Sequence, residues 1–271
     1  MEITLENGKA KAIISTHAAE ILSFKRKDKD FEYIWKGDPA YWSGRNPILF
    51  PQVGSVNDNT NYYEGKAYPM GNHGFARNSE FTLEEDDDTR AVLSLEADEK
   101  TLSQYPYHFR LKVNYRLEGT KLHIFYEIIN HDEKAMPFGF GLHPAFSCPI
   151  DPEKTMEDYV FLFDEEEDVD FLDGKIQPVS HEFLDPDDKL IPERKSRTVT
   201  LTDGRNSVKV DCSEFKKIML WSKPGAPFVC IEPLLFTQDK KETGVPFINK
   251  KDVRVLKPGE RFEIGTSYEF L

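Results

Sequence analysis

The chain has 271 residues and a mass of 31.3 kDa, with 48 Asp+Glu against 35 Lys+Arg and a formal net charge of −13. That charge argues against nucleic acid and the anionic membrane leaflet as partners, because both are held by Lys and Arg. Twenty Phe and eleven Tyr supply enough large apolar surface for a substantial core, which argues against wholesale disorder and leaves a soluble globular protein with a small or neutral ligand.

The opening residues, Met1 to Gly8, carry neither a basic stretch nor an apolar run, so no secretory signal is expected and the chain reads as cytoplasmic. No stretch of about 18 apolar residues is present to span a membrane. Cys148, Cys212 and Cys230 are far apart and form no C-x-x-C pair, so they read as reduced thiols, without a zinc knuckle or a disulfide framework.

In chain order, the first segment with chemical potential is Ser43-Gly44-Arg45-Asn46-Pro47-Ile48-Leu49-Phe50-Pro51. It is compatible with a buried guanidinium presenting a fork of donors, or with a surface Arg before an edge strand. Next, Asn72-His73-Gly74-Phe75-Ala76-Arg77 sets an imidazole beside a permissive backbone position. Ala91–Leu95 is a strand candidate. Leu111, Val113, Tyr115 and Leu117 then alternate with polar residues, and after Glu118-Gly119-Thr120 the pattern resumes at Leu122, Ile124, Tyr126 and Ile128, which predicts a β-hairpin.

Phe138-Gly139-Phe140-Gly141-Leu142-His143-Pro144-Ala145-Phe146 reads as a strand with Phe138, Phe140 and Leu142 on one face. Gly139, Gly141 and His143 would share the other, leaving an open floor for a ligand or another backbone. Asp151–Val160 allows at most a turn or two of helix. The acidic runs Glu84–Asp88, Asp164–Asp170 and Asp185–Asp188 lack the EF-hand spacing and read as solvated turns without a metal. Further strands are expected at Ser207–Cys212, Lys217–Trp221, Phe228–Ile231 and Phe262–Phe270. In Phe228-Val229-Cys230-Ile231-Glu232-Pro233, alternation puts Phe228, Cys230 and Glu232 on one face, and an acid ending an apolar strand is desolvated towards the pKa of a useful base.

Many short strands without intervening helices indicate an all-β sandwich or barrel. His143 and Glu232, with Arg45 and His73, form a coherent acid/base set. The chain carries no G-x-S-x-G elbow, Walker A loop, H-E-x-x-H helix or G-x-G-x-x-G fingerprint.

Taken together and in this order, Gly-Arg45-Asn-Pro-Ile-Leu-Phe-Pro, Asn-His73-Gly-Phe-Ala-Arg, Gly-Leu-His143-Pro-Ala-Phe, Cys-Ile-Glu232-Pro and the closing Leu256-Lys257-Pro258-Gly259-Glu260 resemble the aldose 1-epimerase (galactose mutarotase-like) family, in particular its lactose-operon-linked, LacX-like branch. The resemblance spans nearly the whole chain. It implies one large β-sandwich domain over residues 1–271, of mostly antiparallel strands, that interconverts sugar anomers without a cofactor or a metal. It makes Glu232 the base for the anomeric hydroxyl and His143 the acid for the ring oxygen. His73, Arg45 and Arg77 would bind the sugar.

Galactose-specific members also carry a sugar-binding Asp between the second His and the Glu. Asp185, Asp187 and Asp211 fall in that interval here, none within a matching motif. A hexose 6-phosphate, held by Arg45, Arg77 and Lys66, and a non-catalytic carbohydrate-binding module are the alternatives. Trp221 reads either as a core residue or as a flat face for a sugar ring. The oligomeric state stays open.

Overall fold

In a computed structural model of the chain, residues 1–56, 58–185, 189–238 and 244–271 are described. The Phe109–Glu118 and Lys121–Asn130 strands form the expected hairpin, pairing Leu122 with Leu117 and Ile128 with Leu111. Every apolar residue of the two alternating sets is buried, because a period of two turns alternate side chains onto one face. This hairpin is the centre of a nine-stranded antiparallel sheet. On one side lie Arg90–Glu96 and Thr82–Asp86. On the other lie Arg261–Phe270, Ser207–Asp211, Thr198–Thr202, Val160–Phe163 and Ile176–Pro178.

A second sheet runs in the order Lys189–Ile191, Lys217–Trp221, Phe228–Leu234, Gly141–Leu142, Ile48–Leu49, with Ala145–Ser147 also pairing with Phe228–Leu234. The inner faces of the two large sheets meet through aromatic side chains: Tyr126 packs on Phe140 and Tyr268 on Phe146, with ring centroids 5.2 and 5.5 Å apart. Glu2–Glu6, Ala10–Ser15 and Ile21–Arg26 make a three-stranded sheet. The α-helices among the described residues are single turns, Glu99–Leu102 and His181–Leu184. The fold is therefore the expected all-β, mostly antiparallel sandwich.

Three local readings are corrected. Residues 138–146 are not one strand but the end of Met136–Phe138, then Gly141–Leu142 and Ala145–Ser147, divided between two sheets. Nor do the glycines leave an open floor. A Cβ on Gly141 would stand 2.5 Å from Leu234 Cδ2 and 2.9 Å from Val53 Cγ2, and one on Gly139 would overlap the Phe236 ring. Both glycines admit core side chains, not a ligand. The third correction concerns Asp164–Asp170. Its Glu167 is turned inward, accepting hydrogen bonds from the Lys195 and Ser196 backbone N–H groups at 2.8 and 2.7 Å. Residues 186–188 of the third acidic run, Asp187 included, lie outside the described residues.

Gly141→Ala forces Leu234 and Val53 to move inside a filled core and is expected to cost about 1–3 kcal/mol. Urea unfolding checks this; a midpoint equal to that of the unsubstituted protein would show that the neighbours yield freely.

Candidate active site

The site is a consequence of register. The strand Phe228–Leu234 pairs Cys230 with Ala145 and Leu234 with Gly141, which sets Glu232 directly opposite His143. The ladder between them is broken by Pro144 and Pro233, neither of which has an N–H to donate. On the other flank, Lys217–Trp221 places Met219 beside Glu232 and Trp221 beside Cys230. His143, Glu232, Met219 and Trp221 consequently face one side of the sheet, where a cavity of about 500 Å³ opens.

At the base of that cavity His143 Nε2 lies 3.4 Å from Glu232 Oε1, with the residues 7% and 2% exposed. The expected pair is thus brought together, although Glu232 sits inside its strand and not at the end. Burial holds the His143 imidazole well below its ordinary pKa, and the neighbouring His73 and Arg77 act in the same direction. At this separation each group affects the protonation of the other.

Aromatic walls fix the imidazole. The Trp42 ring lies 4.7 Å from the His143 ring and the Trp221 ring 5.4 Å from it. Trp221, half-buried, lines the cavity and also packs against Trp42 and Phe228, with ring centroids 5.6 and 5.7 Å apart. Trp42 was not legible from the sequence. What makes it possible is Gly44, where a Cβ would stand 2.5 Å from the Trp42 ring.

His73 enters from the opposite rim. Its backbone has φ +66°, and its N–H donates to the Gly54 carbonyl at 2.9 Å. In return the Gly54 N–H donates to His73 Nδ1 at 3.0 Å. Burial, aided by the Arg77 charge, lowers the His73 pKa to about 4, so at neutral pH the ring carries one proton, and that proton is on Nε2.

The loop bearing His73 is anchored by a polar network. Gln52 donates through Nε2 to the carbonyls of Gly54 and Gly71, and its Oε1 accepts from Asn61 at 2.5 Å and Gln238 at 2.7 Å. The oxygens of Gln238 and Asn61 accept from the buried Lys250 ammonium at 2.8 and 3.3 Å.

Arg77, on the 3₁₀ turn Ala76–Asn78, lines the cavity, as do Asn72, Lys223 and Gln238. Arg45 does not. Its Nε donates to the Lys36 carbonyl at 2.9 Å, in a loop outside the cavity. Its backbone acts instead: the Arg45 carbonyl accepts from Ala145 N and the Pro47 carbonyl from His143 N, at 2.7 and 3.2 Å, fastening the residues around His143 from behind. Asp185 and Asp211 are not in the cavity wall, where Glu232 is the one carboxylate among the described residues. Lys66 lies on the Lys66–Pro69 strand, likewise away from the wall. Among the described residues, His143, Cys230 and Glu232, all buried, offer donor atoms within 4.8 Å of one another, a spacing within reach of one metal ion.

A family model for aldose 1-epimerase matches residues 1–269. The plasmid-encoded protein LacX of Lactococcus lactis subsp. lactis is 31% identical over 286 aligned positions, covering 95% of both chains. A galactose mutarotase-like protein from Lactobacillus casei superposes with a TM-score of 0.92 at 29% identity, covering 100% of each chain. A galactose mutarotase related enzyme from Lactobacillus acidophilus gives the same TM-score and identity over 100% of this chain and 97% of its own. With one family covering the chain almost end to end, and a relative above 30% identity matched along nearly its full length, the chain belongs to the aldose 1-epimerase family.

Proposed function

We propose that the protein is an aldose 1-epimerase that interconverts the α and β anomers of a hexose by acid/base ring opening. The observation that carries this reading is the His143–Glu232 pair, in contact at the base of an open cavity flanked by two tryptophans. The anomeric hydroxyl oxygen and the ring oxygen of a pyranose are bonded to the same carbon. A base on one and an acid on the other must therefore be close neighbours, as this pair is.

In the forward step Glu232 takes the proton of the anomeric hydroxyl while His143 delivers one to the ring oxygen. The bond from the anomeric carbon to the ring oxygen breaks, and the aldehyde forms. Rotation about the bond to the next carbon presents the other face, and closure returns both protons. One shared proton suffices for the cycle, because donor and acceptor exchange states and then exchange back. The Nε2–H of neutral His73 and the Arg77 guanidinium supply donors to sugar oxygens, Arg77 favouring those that gain negative charge. Trp42 and Trp221 offer flat apolar faces to the ring.

The whole chain works as one unit in this reading, which one apolar cluster running from Ile3 to Phe270 supports. A reducing, cytoplasmic setting is supported by three free and buried cysteines. A phosphorylated hexose is the second reading. It is favoured by a wall that carries Arg77 and Lys223 against one carboxylate.

Added protein is expected to accelerate the decay of optical rotation of freshly dissolved α-galactose or α-glucose. Glu232→Gln and His143→Gln should each slow turnover by about 10²–10⁴-fold. No acceleration with galactose, glucose or their 6-phosphates would reject the proposal, and the ratio of the free-sugar to the phosphate rate separates the two readings.

The pH profile provides a further check. Activity needs the pair to hold its shared proton, so the alkaline limb of the profile marks the loss of that proton. The positive charge of Arg77 favours the loss. Arg77→Gln removes that influence, so the alkaline limb should move to higher pH, together with a raised KM. An unmoved or downward-shifted limb would show that Arg77 does not act on the pair.

A further inference from the structure

Cys230 has no role in the chemistry above, yet it lies in the active-site row of side chains. It is two residues before Glu232 on the same face of Phe228–Leu234, beside Ala145 on one flank and Trp221 on the other. Its side chain is fully buried among Trp35, Ala145, Ala226 and Phe228, with Trp42 and Trp221 packed over the group. The thiol, the His143 imidazole and the Glu232 carboxylate present donor atoms within 4.8 Å of one another. The imidazole already turns a nitrogen towards the cluster, with His143 Nε2 3.4 Å from Glu232 Oε1.

We propose that these three side chains form an inhibitory site for one thiophilic divalent cation such as Zn²⁺. The donor set is one sulfur, one nitrogen and one oxygen, which suits zinc in its three-protein-ligand form and leaves a fourth position open towards the cavity. Hard cations such as Mg²⁺, which favour all-oxygen sets, gain nothing from the thiolate. Ligand atoms around a tetrahedral zinc lie closer together than 4.8 Å, so small side-chain adjustments close the site.

The charges balance. Binding forms bonds from the metal to sulfur, nitrogen and oxygen, breaks the S–H bond of Cys230 and displaces the proton shared by His143 and Glu232. Both protons go to solvent. One dication replaces two protons, so the net charge of the buried cluster does not change, and no uncompensated charge is left in a low-dielectric site. The cation and the sugar then compete for His143 and Glu232. The inhibitory consequence rests on the epimerase reading above, whereas the binding itself does not.

The test uses the full chain freed of metal with a chelator. Titration with Co²⁺ should produce a near-ultraviolet thiolate-to-cobalt charge-transfer band at one equivalent, which Cys230→Ser abolishes. Calorimetry with Zn²⁺ in buffers of different ionisation enthalpy should report at least one proton released per ion, that of the Cys230 thiol. In polarimetry, Zn²⁺ should inhibit, a chelator should restore activity, and Mg²⁺ should have no effect. Cys230→Ala and Cys230→Ser should remain active without metal and require at least about tenfold more Zn²⁺ for the same inhibition, since loss of even an outer-sphere partner costs about 10–100-fold in affinity.

Absence of the charge-transfer band, or equal zinc sensitivity in the unsubstituted protein and both cysteine variants, would overturn the proposal. If the metal-free protein shows no epimerase activity while the cobalt band appears, the cation site stands and the epimerase reading fails.

Discussion

The contact between His143 and Glu232 is the constraint around which the rest of the site is arranged. Two ionisable side chains are taken almost wholly out of water and held 3.4 Å apart. Burying either alone as a charge would be costly, and that cost falls when each is the other's partner. The backbone holds them there by register. Pairing of Ala145 with Cys230 and of Gly141 with Leu234 sets His143 opposite Glu232 on that flank of the strand. Pro144 and Pro233 withhold N–H groups at the crossing, so the ladder gives way there while its flanks stay paired. The glycines at 139 and 141 belong to the same arrangement, because they let Phe236 and Leu234 close the core directly behind the acid/base pair.

The other rim is organised by a different kind of force. The Lys250 ammonium has only donors, so the oxygens of Gln238 and Asn61 must face it. Their amide nitrogens then face Gln52 Oε1, and the Gln52 nitrogen faces the Gly54 and Gly71 carbonyls. One buried charge thereby orients three amides in series. The series ends on the residue whose N–H holds His73 Nδ1. The result is an imidazole with a fixed tautomer and a single proton aimed away from its anchor. Buried amide networks of this kind are stable only when every member is satisfied, which ties the geometry of the His73 rim to residues as distant in sequence as Lys250.

These two rims differ in how much of them the sequence displays. The hairpin at 109–130 was fully legible, because its strands are long, alternate strictly and bury one face. His143, Glu232 and His73 were legible as chemistry, each a reactive side chain beside a proline, a glycine or an apolar run, whereas Arg77 entered only through the family resemblance. Arg45 was misread because a motif gives identity and order but not direction. A carbonyl supplied by Lys36 claims its guanidinium, and only its backbone serves the site. Trp42 and the Gln52–Asn61–Gln238–Lys250 network were invisible. Nothing in the local pattern distinguishes a tryptophan folded over a glycine onto a buried histidine, and three amides and a lysine contributed from four separate segments have no shared period. The break of 138–146 into pieces in two sheets was hidden for a related reason, since all of these residues are buried and alternation carries no information when both faces are covered.

Electrostatics connects the site with the rest of the molecule. The acidic excess lies on surfaces such as Glu84, which is paired with Arg110 and Lys112, and at strand ends exposed to solvent. The cavity wall shows the opposite balance, with Arg77 and Lys223 against Glu232. Over distances beyond about 8 Å, physiological salt screens exposed charge, so the net −13 has little reach into the cavity, whereas the half-buried Arg77 in its wall is screened much less at short range. A surface that is negative overall keeps the protein soluble, and a local reversal of sign selects what is held. Arg77 serves both ends of that arrangement. In the proposed mechanism it adds positive potential where a sugar oxygen gains charge, and the same potential lowers the pKa of His143. In the proposed reaction the group that helps to bind the substrate would therefore also set the state of the pair that transforms it, and the two properties could not be altered independently by changing that charge.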